Sequence, residues 1–330
     1  MLNKKQFGEK TTALEVVEGI NLKGKDVIVT GGAGGIGVET VRALAKTGAR
    51  VVIAARDLIK AEEVADEIRK DTNNNDVEVE HLELDSLKSV RMFVSRYLAK
   101  NRPLHILINN AGIFSTPFGK TVDGFEQQFG VNHIGHFELT VGLLPALKVA
   151  KNARVVVLSS VAHILSPVIF DDIHFENRPY DETLSYCQSK TANMLFAVEL
   201  TKRYAADGIT ANAVMPGGIL TGIQKHVPRE EMIKRGWMDE NGKPNADFKN
   251  TEEGAATSVW GAVAQELEGH GGLYLEDCQV KSEVSMEDVQ QALKIGFKNG
   301  YPKGYLAYAV DHDNAKKLWE ISEKLVASVL

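Results

Sequence analysis

Tyr186 and Lys190 stand four residues apart in Tyr-Cys-Gln-Ser-Lys, which on a helix puts a phenol and an ammonium on one face. A positioned phenol can give a proton to a carbonyl oxygen or take one from an alcohol. A free phenol titrates near 10, so work at neutral pH needs a shift of ~3 units, roughly 4 kcal/mol in favour of phenolate. A lysine ammonium has the right sign for that. Of the eight tyrosines, only Tyr186 has lysine at the fourth following position. The pair alone also fits an ordinary amphipathic helix, so its surroundings must carry the reading.

A second cluster is suited to anions. Thr30-Gly31-Gly32-Ala33-Gly34-Gly35-Ile36-Gly37 follows the β-branched run DVIVT (26–30) and opens a helix pattern marked by Val38, Val41, Leu44 and Ala45. Glycine lets the backbone approach a pyrophosphate, and a helix N-terminus offers free N–H groups and a favourable dipole. Two registers fit: Gly32, Gly34 and Gly37 as G-x-G-x-x-G, or Gly31, Gly35 and Gly37 as T-G-x-x-x-G-x-G. The second strand, RVVIAA (50–55), ends in Ala55 and is followed by Arg56. A carboxylate there would hold the 2′-hydroxyl of NAD, whereas arginine pairs with a 2′-phosphate. The sequence therefore predicts NADP(H) in preference to NAD(H); the plainer reading of Arg56 is a solvated residue at a strand end.

Other reactive residues point elsewhere. His133, His136 and His163 lack companions at metal-ligand spacing, so no metal site is predicted. Cys187 and Cys278 are too few for a disulfide framework, and Cys187 reads as packing.

The elements that must hold these groups alternate along the chain. VEVEHLEL (77–84), LHILIN (104–109), RVVVLS (154–159), ITANAVM (209–215) and GLYL (272–275) join the first two as strands, about seven in all. Continuous apolar runs suit strands covered on both faces, so the fold class is α/β: a doubly wound parallel sheet, the Rossmann fold, with helices on both sides. Residues 24–282 read as one such domain, 1–23 as an arm with a short helix near TALEVVEG, and 283–330 as a helical extension patterned in AKKLWEISEKLV (315–326). Residues 161–184 form a long connection. Residues 217–252, polar but carrying Trp237, Met238 and Phe248, read as a lid or as a surface insertion with its own cluster.

Composition bounds the rest. The chain has 330 residues, 44% hydrophobic and 25% charged, with net charge −6, which argues against a large nucleic-acid footprint. No apolar run reaches the ~18 residues of a membrane span, and Lys4 and Lys5 are not followed by the apolar core of a signal peptide. A soluble, cytoplasmic protein is expected.

The ordered motifs resemble the short-chain dehydrogenase/reductase family. They are the glycine loop Thr30–Gly37, Asn109-Asn110-Ala111-Gly112, Asn132 in FGVNHIGHF, the serine ending RVVVLSS, the Tyr186/Lys190 pair, and Pro216-Gly217 after a strand. LSSVAH with its long connection, and GLYLEDCQ with LWEISEKLV, are similar to the retinol-dehydrogenase-like and WW-domain-oxidoreductase-like branch. The resemblance implies hydride transfer between a nicotinamide and a carbonyl or alcohol carbon of an apolar small molecule. Tyr186 would be the acid or base, and Ser160 would donate to the substrate oxygen, with Ser159 the alternative because strand residues alternate. Lys190 would also bond the nicotinamide ribose, and Asn132 would hold a water behind it or cap the following helix. Gly31, Gly35, Ile36 and Gly37, then Asn110, Ala111 and Gly112, would line the dinucleotide. Asp85 would sit beside the adenine or cap the helix at Ser86. Pro216, Gly217, Ile219 and Thr221 would approach the nicotinamide amide.

The family also implies a homodimer or homotetramer, through the helices after Asn110 and around Tyr186. Some features depart from it. Gly34 stands where many NADP-using members carry arginine or lysine, the connection before Tyr186 is long, and 282–300 reads as an insertion. No membrane-anchoring N-terminal helix and no WW domain are predicted. Two other activities fit the motifs: reduction of a carbon–carbon double bond, as in the light-dependent protochlorophyllide reductases, and a non-catalytic NADP-binding regulator, against which the retained Tyr186 and Lys190 argue.

Overall fold

The computed structural model describes residues 6–294 and 301–329. Lys4 and Lys5, the 295–300 part of the predicted insertion and extension, and Leu330 lie outside the described residues. The strands are β1 (Asp26–Thr30), β2 (Arg50–Ala55), β3 (Val77–His81), β4 (Ile106–Asn109), β5 (Ala153–Leu158), β6 (Ile209–Met215), β7 (Tyr274–Glu276) and β8 (Gln279–Val280). They form one sheet in the order β3-β2-β1-β4-β5-β6-β7-β8. The first seven run parallel, and β8 returns antiparallel to β7.

This eighth strand goes beyond the sequence-based expectation. It is two exposed residues long, too short to leave a pattern. It is set by a two-residue turn in which Asp277 and Cys278 both have φ 54°. Two consecutive positive φ values mark the type I′ hairpin turn, whose twist matches paired strands.

The apolar runs feed two cores. From β1, Val27 and Val29 join one with the helices Ile36–Lys46 and Thr251–Val263, while Ile28 joins another with Leu87–Ala99, Gly135–Gly142 and Glu182–Tyr204. Burial on both faces explains the continuous apolar runs of β1, β2, β5 and β6, whereas β3, VEVEH, alternates and is only partly buried. The winding reverses between β1 and β4, and a crevice at the carboxyl ends of the strands opens at such a reversal.

The N-terminal segment makes a single helical turn, Ala13–Val16, capped by Thr12 and Glu15, and its Val16 and Val17 join the first core. At the other end, helix His312–Ala327 packs along Glu182–Tyr204. Its Trp319 meets Phe137 at 4.9 Å and Phe196 at 5.9 Å. Ser322 bonds His133 Nε2 at 2.8 Å, and Arg91 donates to the carbonyls of Val326 and Val329 at its end. This helix thus covers part of Glu182–Tyr204, one of the helices implied as subunit contacts.

Candidate active site

Asp181 caps the helix Glu182–Tyr204 by accepting from the N–H groups of Thr183 and Leu184. That start sets Tyr186 and Lys190 above the carboxyl end of β5. Both are buried, with 9% and 3% of their surface exposed. Lys190 Nζ donates to Leu158 O at 3.0 Å and lies 5.4 Å from the Tyr186 ring centroid. Burial lowers its pKa to about 8. The Tyr186 phenol is held above its ordinary value by burial, opposed by a hydrogen bond with Ser160.

The two serines have different partners. Ser159 Oγ donates to Lys190 O at 2.9 Å and is spent on packing. Ser160, two residues beyond the end of β5, accepts from Ala162 N at 3.1 Å, and its hydroxyl opposes the rise in the Tyr186 pKa.

Asn132 is not a helix cap, which corrects one of its two readings. Helix Gln127–Phe129 runs through a π turn, Gly130–Ile134, into Gly135–Gly142, and its cap is Glu126, whose carboxylate accepts from the N–H groups of Gln128 and Phe129. From inside the π turn, Asn132 Oδ1 accepts from Ile113 N at 2.9 Å, and Nδ2 donates to Ile113 O at 3.0 Å and Ser189 Oγ at 2.9 Å. A Cβ on Gly112 would sit 3.2 Å from Asn132 Oδ1 and 3.6 Å from Lys190 Nζ, so these groups converge there.

The glycine loop crosses the crevice at the end of β1. Gly31 has φ 67° and Gly35 φ 54°, both costly for other residues, and a Cβ on Gly37 would collide with Gly31 O. A Cβ on Gly34 would meet nothing. The geometry therefore requires glycine at the positions of the second register. Helix Ile36–Lys46 begins at Gly35 with no side-chain cap; Gly37 N donates to Gly34 O at 3.1 Å, and the helix end presents its positive dipole to an anion. Asn110 braces the loop, its Nδ2 donating to Thr30 O at 2.8 Å, and Ala111 N donates to Thr30 Oγ1 at 3.0 Å. Past β2, Arg56 is exposed and makes no hydrogen bond or ion pair among the described residues. These features fit a phosphorylated dinucleotide.

Asp85 is half-buried. Its capping role is corrected: Ser86 caps helix Leu87–Ala99, and Asp123 Oδ2 takes the Leu87 N–H at 2.7 Å.

Beyond β6, Pro216 leads to Gly217, whose φ is 115° and whose missing Cβ makes room for the Lys249 stem. Lys249 Nζ pairs with Asp277 Oδ1 at 2.7 Å in a buried contact. Ile219 packs with Ile36 around Gly254, and Thr221 lies against Gly35, joining the 217–252 segment to the glycine loop. Within that segment Phe248 covers Gly218, and Trp237 stands 6.0 Å from Phe114, whose ring meets Tyr186 edge-on at 4.6 Å. Sequence reasoning missed Phe114; only its place after Asn110-Ala111-Gly112 hinted at the site.

Cys187 is fully buried, its thiol pushed up to about 12 by burial, which suits packing and not reactivity. His133 and His163 are engaged by Ser322 and by Ser160 O. Among the described residues no cluster of three potential metal ligands occurs, and no helix is long and apolar enough to cross a membrane.

The sequence profile of the short chain dehydrogenase family matches residues 25–232. The chain belongs to this family. Across 260 residues it is 46% identical to retinol dehydrogenase 12 of Mus musculus, covering 79% of this chain and 80% of that one. It is 43% identical to a probable oxidoreductase of Streptomyces antibioticus, covering 91% and 97%. A solved structure of an uncharacterized protein from Mycobacterium paratuberculosis superposes with TM-score 0.71 at 32% identity, covering 96% of this chain and 98% of that one. This short chain dehydrogenase is therefore an oxidoreductase of the retinol-dehydrogenase-like branch, in a family that binds a nicotinamide cofactor.

Proposed function

We propose that this short chain dehydrogenase interconverts a ketone or aldehyde with the corresponding alcohol on an apolar small molecule, using NADP(H). The observation that carries the reading is the buried Tyr186 ring with Lys190 Nζ 5.4 Å from its centroid at the carboxyl end of β5. When bound, the cofactor supplies or accepts the hydride. In reduction, Tyr186 gives its proton to the substrate oxygen, and Ser160 donates to the same oxygen as charge builds on it. Lys190 places a positive charge behind the phenol, and Asn132 holds the Ile113 backbone and Ser189 around it. Phe114 and Trp237 give the substrate an aromatic wall, which favours apolar compounds. Following NADPH absorbance across ketones, aldehydes, retinoids and steroids tests the reading; no turnover with any of them would count against it.

Arg56 supports the cofactor choice, since it is exposed at the end of β2 with no protein partner among the described residues. A charge-assisted contact with a 2′-phosphate is worth about 1.5–3 kcal/mol, or roughly 10- to 150-fold in binding. Gly34 adds no second charge, so a preference near the lower part of that range is expected. Replacing Ala55 with Asp and Arg56 with Gln should reverse it, because attraction and repulsion both change sign. The ratio of kcat/KM with NADPH and NADH in parent and double variant checks this, and a parent that prefers NADH makes Arg56 a bystander.

Residues 217–252 act as the lid in this reading. Trp237 and Phe248 pack on the site while the short helix Arg229–Lys234 and the turn beyond it are largely exposed. Their amides should exchange rapidly in the free protein and become protected when dinucleotide and substrate are both bound. Equal exchange in the two states removes the lid.

A further inference from the structure

Thr30 closes β1, and its side chain meets several partners in the space behind the glycine loop. Its Oγ1 accepts from the N–H groups of Asn110 at 2.9 Å and Ala111 at 3.0 Å, and lies 2.9 Å from His136 Nε2. Ile108 O is more distant at 3.4 Å and shares the Asn110 N–H at 3.0 Å. A hydroxyl has one proton and two lone pairs. With both lone pairs facing main-chain N–H groups, the proton goes to the nearest acceptor, His136 Nε2. That nitrogen therefore carries no hydrogen, and Nδ1 holds the ring proton. Nδ1 lies 3.0 Å from Asn132 O, which can only accept. Burial keeps the ring neutral, its pKa lowered to about 4, and the Lys190 charge acts in the same direction. A charged ring would also set a second N–H against an oxygen whose lone pairs are taken.

We propose that His136, fixed as the Nδ1–H tautomer, is a positioning residue that ties the π turn at Asn132 to the end of β1. The role rests on the catalytic reading given above. A π turn departs from the regular helical ladder, and here it carries the side chain that grips Ile113 and Ser189 next to Lys190. Movement of that turn relative to β1 breaks one of two buried hydrogen bonds, Thr30 to His136 or His136 to Asn132, and leaves an unpaired polar group. The chain thereby holds the Asn132 and Lys190 groups in register with the dinucleotide loop, without His136 touching substrate.

The first test needs no activity. Long-range 1H–15N spectra of the protein labelled at histidine should show His136 as the neutral Nδ1–H tautomer from about pH 6 to 9. An Nε2–H tautomer or a charged ring overturns the proposal. The second test uses H136F and H136N. Phenylalanine keeps an aromatic ring and loses both bonds; asparagine keeps a donor near the position of Nδ1. H136F should lower kcat about 10- to 100-fold, with KM and the dinucleotide Kd within about threefold, since misplacement acts on the reacting geometry. H136N should recover at least a third of that loss. Full activity in H136F, or equal loss in the two variants, overturns the positioning role. If H136F does not fold, the tautomer and H136N against the parent decide. Activity retained in Y186F would instead remove the catalytic reading, leaving the hydrogen-bond chain to be judged by its spectrum.

Discussion

Replacing Tyr186 with Phe is expected to lower kcat by about 10³-fold while dinucleotide affinity stays within about threefold, since a single proton donor is removed. The ring remains, and with it the edge contact to Phe114 at 4.6 Å. Only the hydroxyl is lost, and Ser160 keeps its hydrogen bond from Ala162 N. The fold should therefore survive, which a thermal midpoint close to that of the parent would verify. Single-turnover hydride transfer and dinucleotide binding by fluorescence separate the two expectations. Activity within tenfold of the parent would sink the mechanism. Because burial holds the phenol above its ordinary value in the chain alone, little phenolate forms at neutral pH without ligands. A phenolate signal in ultraviolet difference spectra of the free protein near neutrality would contradict that.

Lys190→Ala is expected to lose on two counts. Turnover should fall by about 10²-fold or more as the positive charge behind Tyr186 disappears. Dinucleotide affinity should fall about 10-fold or more, as expected for a charge-assisted bond to the ribose. A drop in turnover with unchanged affinity would remove the ribose role. The same variant has a signature in stability against pH. Lys190 has a folded pKa of about 8, below its ordinary 10.5. Between those values the unfolded chain binds more protons than the folded one, so stability from this group rises with pH across that window. The gain totals about 3 kcal/mol, and it should be missing from the alanine variant. Denaturant unfolding of parent and variant at intervals across the window measures the difference, and parallel curves would mean that the ammonium is not held in a dry site.

The sequence by itself determined what depends on near neighbours along the chain. The runs 26–30, 50–55 and 209–215 are the observed β1, β2 and β6, since strands buried on both faces need continuous apolar residues. The glycine loop was legible because positive φ at Gly31 and Gly35 is a local steric demand. Tyr186 and Lys190 were legible because a helical period of four is local too. What sequence spacing left open is which side chains meet across distant segments. Strand alternation left Ser159 and Ser160 open, because both lie beyond the end of β5, where the Tyr186 helix rises over it. A capping role for Asn132 also fitted the sequence, but Glu126 holds the cap of the helix that leads into it and a π turn contains the asparagine. Asp85 lost its capping role to Ser86 and to Asp123, 36 positions from the N–H it accepts. Phe114, Trp237 and the Thr30–His136–Asn132 chain are joined through space by segments with no shared period. The covering of the Tyr186 helix by His312–Ala327 was equally out of reach. An amphipathic pattern says that a helix has an apolar face but not which surface will bury it, and that is settled only when the whole chain competes for the same buried space.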